Sequence, residues 1–275
     1  MIVQCLRPAA LCCLILFLSL LTACASEPDS LPPPATLTPY PPDHYIGLSD
    51  SAASLADLVS DAYEAASGRP APIFLAGSDQ ALLNDLQQGV LEAAIMHHLP
   101  ADTQLWFNPV ALDGVVIITN PDIKVDDLSA AQIQAIFGGT IDNWAGVGGP
   151  DLPVNLFSRE SGAGAWDILS ERLMENVPLS GLARIAPTDE FMRSQVAAVP
   201  GAIGYAMMGS AGDDALLLEG HTATPDTVAD QSYPLTAPLY FVTQTEPEGA
   251  LRDFLAWLQS PAGQAILSEK YGRVR

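Results

Sequence analysis

Short apolar runs alternate with helical patterns along most of the chain. The run at residues 44–48 predicts a strand, and apolar residues at positions 55, 58, 59 and 62 then follow the spacing of a helix face. Ser54 and Asp57 fit a capping box, which predicts that this helix begins just after Ser54. Strands that alternate with helices in this way predict an α/β protein with mainly parallel strands.

The same alternation continues to the end of the chain. The run Val110–Thr119 is almost entirely apolar, as expected for a strand that is buried on both faces. Capping signals at Ser129 with Gln132 and at Ser260 with Pro261 predict two further helix starts. Further strands are predicted at 73–75, 93–96, 153–157 and 201–206, and further helices are predicted from 79 through Val90, after 164, around 189–199 and at 251–258.

The N-terminal segment predicts export and lipidation. One basic residue, Arg7, precedes an apolar stretch at residues 9–21, and the sequence Leu-Thr-Ala-Cys that ends at Cys24 resembles a bacterial lipobox. We therefore predict a signal peptide at 1–23 and a lipid on Cys24. Residues 24–43 would form the anchor and a proline-rich tether, which places the protein on the extracytoplasmic face of a cell membrane.

Composition narrows the possible functions. The 275 residues include 11 Lys and Arg against 32 Asp and Glu, a net charge of -21 that is spread along the chain. This acidity disfavours nucleic-acid binding. The other three cysteines lie within the predicted signal peptide, so the mature chain has none for a disulfide or a metal site.

One strand–turn–helix junction is the strongest candidate site. Arg159 follows a predicted strand, and Gly162 and Gly164 precede a predicted helix. The first turn of a helix offers free N–H groups and a partial positive charge, and an arginine fork suits a phosphate, sulfate or carboxylate. The junction predicts an oxyanion site, although a plain helix start with Arg159 at the surface remains an alternative.

Two more helix starts follow strands, at Ser54 and at Ser78. Ligands of open α/β sheets collect at the carboxyl ends of strands, so three helix N-termini could converge on one oxyanion. Each serine could equally be an ordinary N-cap with no ligand.

Several segments together resemble the phosphate-binding proteins of ABC phosphate importers. The resemblance runs in order from about residue 45 to residue 271. It is carried by these segments: Phe137–Trp144, Gly148–Asp151, Ser158–Gly164, Gly201–Ala206, Ser232–Leu235, Pro238–Val242 and Ser260–Ile266. The resemblance implies an α/β fold of the two-lobe periplasmic-binding-protein type (type II), with crossing hinge strands that let the lobes close on a ligand.

The resemblance also implies domains, partners and site residues. Lobe 1 would hold about 44–112 and 215–275, and lobe 2 about 113–214. The partners would be phosphate or a related oxyanion and an ABC permease, with no cofactor, no metal and a monomeric protein. The ligand-binding residues would be Ser54, Leu55, Ser78, His97, Arg159, Gly162, Ala163, Gly164 and Ala165.

Two departures from the family put the choice of anion in doubt. Ala163 and Ala165 replace hydroxyl residues of the family's loop. The family's aspartate that accepts the proton of hydrogen phosphate should fall near His97 and His98, where histidine stands instead. A histidine can donate to a fully ionised anion, so selectivity could be altered, unless Asp50 or Asp79 supplies the missing acceptor.

Two other classes of function compete with this interpretation of the sequence. An enzyme is poorly supported, because the four histidines lack the spacing of a metal hydrolase and no nucleophile-elbow or phosphate-loop motif occurs. A lipoprotein that kept the fold but serves as a sensor or interaction partner without an anion is favoured by the two alanines and opposed by Arg159 with its glycines.

Overall fold

The computed structural model describes residues 44–175, 177–211 and 215–274. The predicted signal peptide, Cys24 and the proline-rich tether lie outside these described residues. Within them, none of the helices combines the length and the apolar character that crossing a membrane requires.

The strands and helices lie close to where the apolar pattern predicts them. The strands of the described residues are β1 (Tyr45–Ser49), β2 (Ile73–Gly77), β3 (Ala93–Met96), β4 (Trp106–Thr119), β5 (Asp127–Leu128), β6 (Asn155–Ser158), β7 (Arg184–Ile185), β8 (Ala202–Met207), β9 (Leu217–Leu218) and β10 (Thr236–Thr243). The helices are α1 (Ser54–Ser67), α2 (Asp79–Gln87), α3 (Ala130–Phe137), α4 (Gly164–Leu169), α5 (Asp189–Ala198), α6 (Pro225–Ala229), α7 (Gly249–Leu258) and α8 (Pro261–Leu267).

The helix boundaries test the capping signals directly. The capping box of Ser129 with Gln132 is confirmed, and Ser260 caps α8 as predicted. The prediction of a capping box at Ser54 is wrong. A 3₁₀ turn over Asp50–Ala52 precedes α1, and Ser54 is already the first residue of α1, which has no side-chain cap hydrogen bond. Val90 lies beyond the end of α2 and is 69% exposed.

One eight-stranded sheet runs through the protein, in the order β2-β1-β3-β10-β4-β8-β6-β7. Its outer pairs are parallel, as the alternating pattern predicts. The prediction of mainly parallel strands fails in the middle of the sheet, where β10 is antiparallel to β3 and β4, and β4 is antiparallel to β8. β5 and β9 form a separate parallel pair.

The long strand β4 belongs to two cores. It pairs with β10 as far as Gly114 and with β8 from Val115 onward. One hydrophobic core contains Val110 together with residues of β1, α1 and α7, and a smaller neighbouring cluster packs α2 against β3. Another core contains Val116 with residues of α3, α4, β8 and α5. The protein therefore has two lobes, which β4 and β10 join.

Candidate functional site

Arg159 directly follows β6, at the carboxyl end of that strand, and its side chain has no exposed surface. Its backbone N–H donates to the Tyr205 hydroxyl at 2.8 Å, and the same hydroxyl lies 2.9 Å from Ser158 Oγ. Tyr205 is itself buried on the neighbouring strand β8. These contacts fix the start of the loop, so the guanidinium group is held inside the protein and not at its surface.

The guanidinium group of Arg159 is surrounded by acceptors from both lobes. Nη2 donates to Asp50 Oδ2 at 2.7 Å and to the Pro187 carbonyl at 3.0 Å. Nη1 donates to Asp189 and, at 3.3 Å, to Ser51 Oγ. Burial alone would lower the pKa of Arg159, but Asp189 and Asp50 raise it above its usual value, so the side chain keeps its charge.

The glycine loop after Arg159 touches the start of α2. Gly162 has φ +88°, and its carbonyl accepts a hydrogen bond from the Gln80 N–H at 3.0 Å. A Cβ on Gly162 would lie 2.8 Å from Gln80 Cβ, and a Cβ on Gly164 would lie 2.6 Å from Asp79 Oδ2. Any larger residue at these two positions would push the loop away from α2. The glycines therefore allow the two lobes to meet at the candidate site.

Asp79 and His97 form a second buried group beside this loop. Asp79 Oδ2 accepts the backbone N–H groups of His97 at 2.9 Å and His98 at 2.8 Å. His97 Nε2 lies 3.1 Å from Asp113 Oδ2, and both side chains are fully buried. Burial alone would lower the pKa of His97, but the hydrogen bond and charge of Asp113, with Asp79 and Asp189, raise it above its ordinary 6.5.

Four buried polar atoms around this place have no hydrogen-bond partner among the described residues. They are Ser49 Oγ, Asp79 Oδ1, His97 Nδ1 and Arg159 Nε. Two pairs of these residues are evident: Arg159 binds Asp50, which follows Ser49 in the chain, and Asp79 binds the backbone of His97. Gly164, at the start of α4, approaches Asp79. Buried polar groups are normally paired, so this cluster of unpartnered atoms is the candidate place for a polar ligand.

A cavity of about 260 Å³ opens beside the glycine loop. Its lining includes Gln80, His98, Gly162, Trp166, Asp167 and Glu171. Burial raises the pKa of Asp167, as do the charges of Asp79 and Glu171, although the Gly162 N–H and His98 oppose this rise. His98, the second histidine of the pair, therefore faces this cavity while His97 is enclosed.

The sequence-predicted residues do not all meet in the structure. Arg159 and His97 each carry one of the unpartnered atoms, Gly164 approaches Asp79, and Gly162 contacts Gln80. Ala163 precedes α4 and Ala165 lies in its first turn, and both are fully buried. Ser78 Oγ caps α2 by accepting the Ala81 N–H, and so orients Asp79.

The two predicted residues of α1 have other contacts. Ser54 Oγ donates to the Gly209 carbonyl at 2.7 Å and lies 2.9 Å from the Tyr271 hydroxyl. Leu55 is fully buried in the core that contains β1 and α7. The loop that reaches Arg159 is instead the preceding turn, through Asp50 and Ser51.

Comparison with known proteins identifies the family. A model of the PBP superfamily domain matches residues 46–262, which is well over half of the chain. The protein belongs to this family. Within the described residues, no cluster of three or more His, Cys, Asp or Glu side chains could hold a metal ion.

Curated relatives of this PBP domain protein include phosphate-binding proteins named PstS. The one from Bacillus subtilis is 30% identical over 155 residues, which is 55% of this chain and 51% of the relative. The one from Borreliella burgdorferi is 25% identical over 174 residues, which is 58% of this chain and 62% of the relative. The matched segment thus spans between half and two thirds of these relatives. The resemblance to the phosphate-binding family is confirmed.

Solved structures show the same two-lobe fold. A Clostridium perfringens protein with bound phosphate, described as a phosphate ABC transporter substrate-binding protein, superposes with a TM-score of 0.77 at 24% identity, covering 84% of this chain and 100% of that one. An ABC-type phosphate transport receptor from Vibrio cholerae gives a TM-score of 0.67 at 23% identity, covering 84% and 99%.

Sequence reasoning missed several carboxylates of the site. Asp189 contacts Arg159 although the two are 30 positions apart, and Asp113 lies inside an apolar strand, where it binds His97. Asp189 follows the N-cap Thr188 of α5, which gives it the pattern of an ordinary acidic first turn. Asp113 did carry a usable signal, because a lone charge within a buried strand needs a partner.

The raised pKa of His97 predicts how stability depends on pH. Above pH 6.5, the ordinary pKa of a histidine, His97 keeps its proton in the folded protein but loses it in the unfolded chain. The free energy of unfolding should therefore fall as pH rises. One such group contributes a slope of up to about 1.4 kcal/mol per pH unit. Urea unfolding between about pH 6 and about pH 8.5 measures this slope. It should be smaller for His97→Gln and unchanged for His221→Gln, whose residue is exposed. Equal slopes in all three proteins would contradict the assignment.

Proposed function

We propose that the protein is an extracytoplasmic solute-binding protein that captures phosphate or a related oxyanion between its lobes and delivers it to an ABC importer. The observation that carries this proposal is the cluster of four unpartnered buried atoms beside Arg159 and the glycine loop. The names of the relatives support the choice of phosphate.

The unpartnered atoms have the chemistry that a protonated oxyanion needs. Arg159 Nε offers an N–H donor, and His97 Nδ1 is a second donor when the imidazole is charged. Asp79 Oδ1 can only accept, and Ser49 Oγ can do either. Hydrogen phosphate both accepts and donates, so it can satisfy all of them, whereas sulfate has no proton to give to Asp79.

Asp79 is our candidate for the acceptor that the family places near the two histidines. The sequence left Asp50 and Asp79 as alternatives. In the structure Asp50 Oδ2 is engaged by Arg159, while Asp79 has one oxygen held by two backbone N–H groups and the other without a partner. With Asp79 as the acceptor, the protein could select protonated oxyanions even though histidine stands where the family has its aspartate.

The proposal also includes the lipid anchor and the division into lobes that the sequence predicts. A lipid on Cys24 and the tether at 24–43 would hold the binding domain at the membrane, where a permease could receive the ligand from a monomer. The lobes would be divided near residue 113. Tyr233 and Leu235 pack with the core of the second lobe, which favours a return crossing nearer to Ala237 than to residue 215.

A ligand-free interaction lipoprotein is the second candidate. It is favoured by the saturation of both terminal nitrogens of Arg159 by groups of the protein itself. The four unpartnered atoms oppose it, because a site that binds nothing has no reason to keep them buried.

Thermal unfolding with different anions tests the function. We expect phosphate at about 100 times its dissociation constant to add about 2.7 kcal/mol, which is a shift of roughly 5–10 °C for a protein of this size. Arg159→Lys keeps a charge for Asp189 but loses the planar fork, so the shift should shrink, whereas Arg184→Lys on the exposed edge strand should leave it unchanged. Absence of a shift with phosphate, arsenate, sulfate and molybdate would favour the interaction lipoprotein.

Asp79→Asn tests the proposed acceptor. The amide oxygen can still accept the His97 and His98 N–H groups, but the amide nitrogen then points a donor at the ligand. We expect phosphate affinity to fall by roughly ten- to a hundredfold, since hydrogen bonds to charged groups contribute about 1.5–3 kcal/mol, and sulfate affinity to rise. Calorimetry measures both, with Asp85→Asn on the same helix as control. An unchanged phosphate-to-sulfate ratio would exclude Asp79 as the acceptor.

Cys24→Ser tests the lipid anchor. We expect the unmodified protein to fractionate with membranes and to incorporate a labelled fatty acid, and the variant to lose the label and leave the membrane fraction. A variant that keeps both properties would contradict lipidation at this cysteine.

A further inference from the structure

Arg159 has five N–H donors, and the protein uses four of them. Asp189 and Ser51 take the hydrogens of Nη1, and Asp50 with the Pro187 carbonyl takes those of Nη2. Only Nε has no partner among the described residues. An oxyanion that binds an arginine through two parallel hydrogen bonds needs a second nitrogen, so one of these contacts must give way.

The two carboxylates on Arg159 are held very differently. The Asp189 side chain is 2% exposed, and its second oxygen accepts the Met207 N–H at 3.0 Å. The Asp50 side chain is 16% exposed, and among the described residues its second oxygen accepts only from the Ser51 hydroxyl, at 3.3 Å. Asp189 is thus anchored within lobe 2, while Asp50 lies on a short 3₁₀ turn of lobe 1 with a route to water. Asp50 is the contact that can be released.

We propose that Asp50 is an internal counter-ion that occupies the anion position on Arg159, so that an oxyanion binds by displacing the Asp50 carboxylate. This inference rests on the proposed function. It makes Asp50 a residue that sets affinity and its pH dependence, because Asp50 competes with the ligand only while it is ionised. The displaced carboxylate either turns towards solvent or takes up a proton.

The groups that face Asp50 favour its protonation once Arg159 is shared with a ligand. Arg159 approaches from the end of β6, Asp189 from the start of α5 and Asp79 from the start of α2. Burial raises the pKa of Asp50, and the charges of Asp189 and Asp79 raise it further against the opposing effect of Arg159. An incoming anion adds one more negative charge, so binding and proton uptake by Asp50 support each other.

The opposite role for Asp50 makes the opposite prediction. If Asp50 only orients the guanidinium group for the ligand, its removal should weaken binding. If Asp50 competes with the ligand, its removal should strengthen binding. The sign of the change in affinity therefore separates the two roles.

The test compares phosphate binding by the unmodified protein, Asp50→Asn and Asp50→Ser, measured by calorimetry at several values between about pH 5 and about pH 8. At each pH, the dissociation constant of the unmodified protein is divided by that of the variant, and this ratio cancels the titration of phosphate itself. We expect both variants to bind about tenfold more tightly than the unmodified protein at pH 8, with a ratio that approaches one at the acidic end. Glu160→Gln is the matched control, since that carboxylate lies 3.9 Å from Arg159 Nη2 and is 43% exposed; its ratio should stay near one throughout.

The outcomes distinguish this inference from the function on which it rests. Equal or weaker phosphate binding by Asp50→Asn and Asp50→Ser, with clear binding by the unmodified protein, overturns the counter-ion role and leaves the phosphate-binding function in place. Absence of phosphate binding by all of these proteins at every pH overturns both. Thermal unfolding without ligand shows that each variant is folded before its binding is compared.

Discussion

The buried charge of Arg159 is the constraint on which the site depends. A guanidinium group without exposed surface is stable only if other groups balance its charge, and Asp50 and Asp189 do so from the two lobes. The ion pairs therefore join the lobes at the same place where the glycine loop meets α2. An anion that enters this candidate site would have to replace part of that balance, so its binding would be an exchange of negative charges and not a simple addition.

The other buried carboxylates near this arginine bind different groups of the protein. Asp113 holds the imidazole of His97 and accepts the backbone N–H groups of Gly114 and Gly209, so it links the hinge strand to both lobes. Asp79 accepts the backbone N–H groups of His97 and His98. Each of these carboxylates has at least one oxygen directed at a donor of the protein, so an acidic protein could present an anion site here with Arg159 and His97 as the nearest positive groups.

Those parts of the candidate site that have distinctive local chemistry could be named from the sequence. Arg159 with Gly162 and Gly164 could be identified as candidates, because an arginine beside glycines at a strand–turn–helix junction suits an oxyanion, but the sequence alone could not show that Arg159 is buried. Asp189 and Asp79 did not stand out as ligands of the arginine or the histidines, since an acid in the first turn of a helix is stabilised there by the helix dipole alone. Ser54 was predicted to bind the ligand, whereas in the structure Asp50 and Ser51 contact Arg159, because a 3₁₀ turn before α1 leaves no trace in the apolar pattern. The antiparallel middle of the sheet was missed for a similar reason: an apolar run shows burial but not direction.

Strand β4 limits how the two lobes can move. It is one continuous strand that pairs with β10 as far as Gly114, with one register shift between Leu239 and Tyr240, and with β8 from Val115 onward. A slip of one residue against either neighbour would turn every inward side chain outward. Any relative motion of the lobes would therefore be a change of twist or bend in β4 and β10, and the mechanical stiffness of these two strands would set its range.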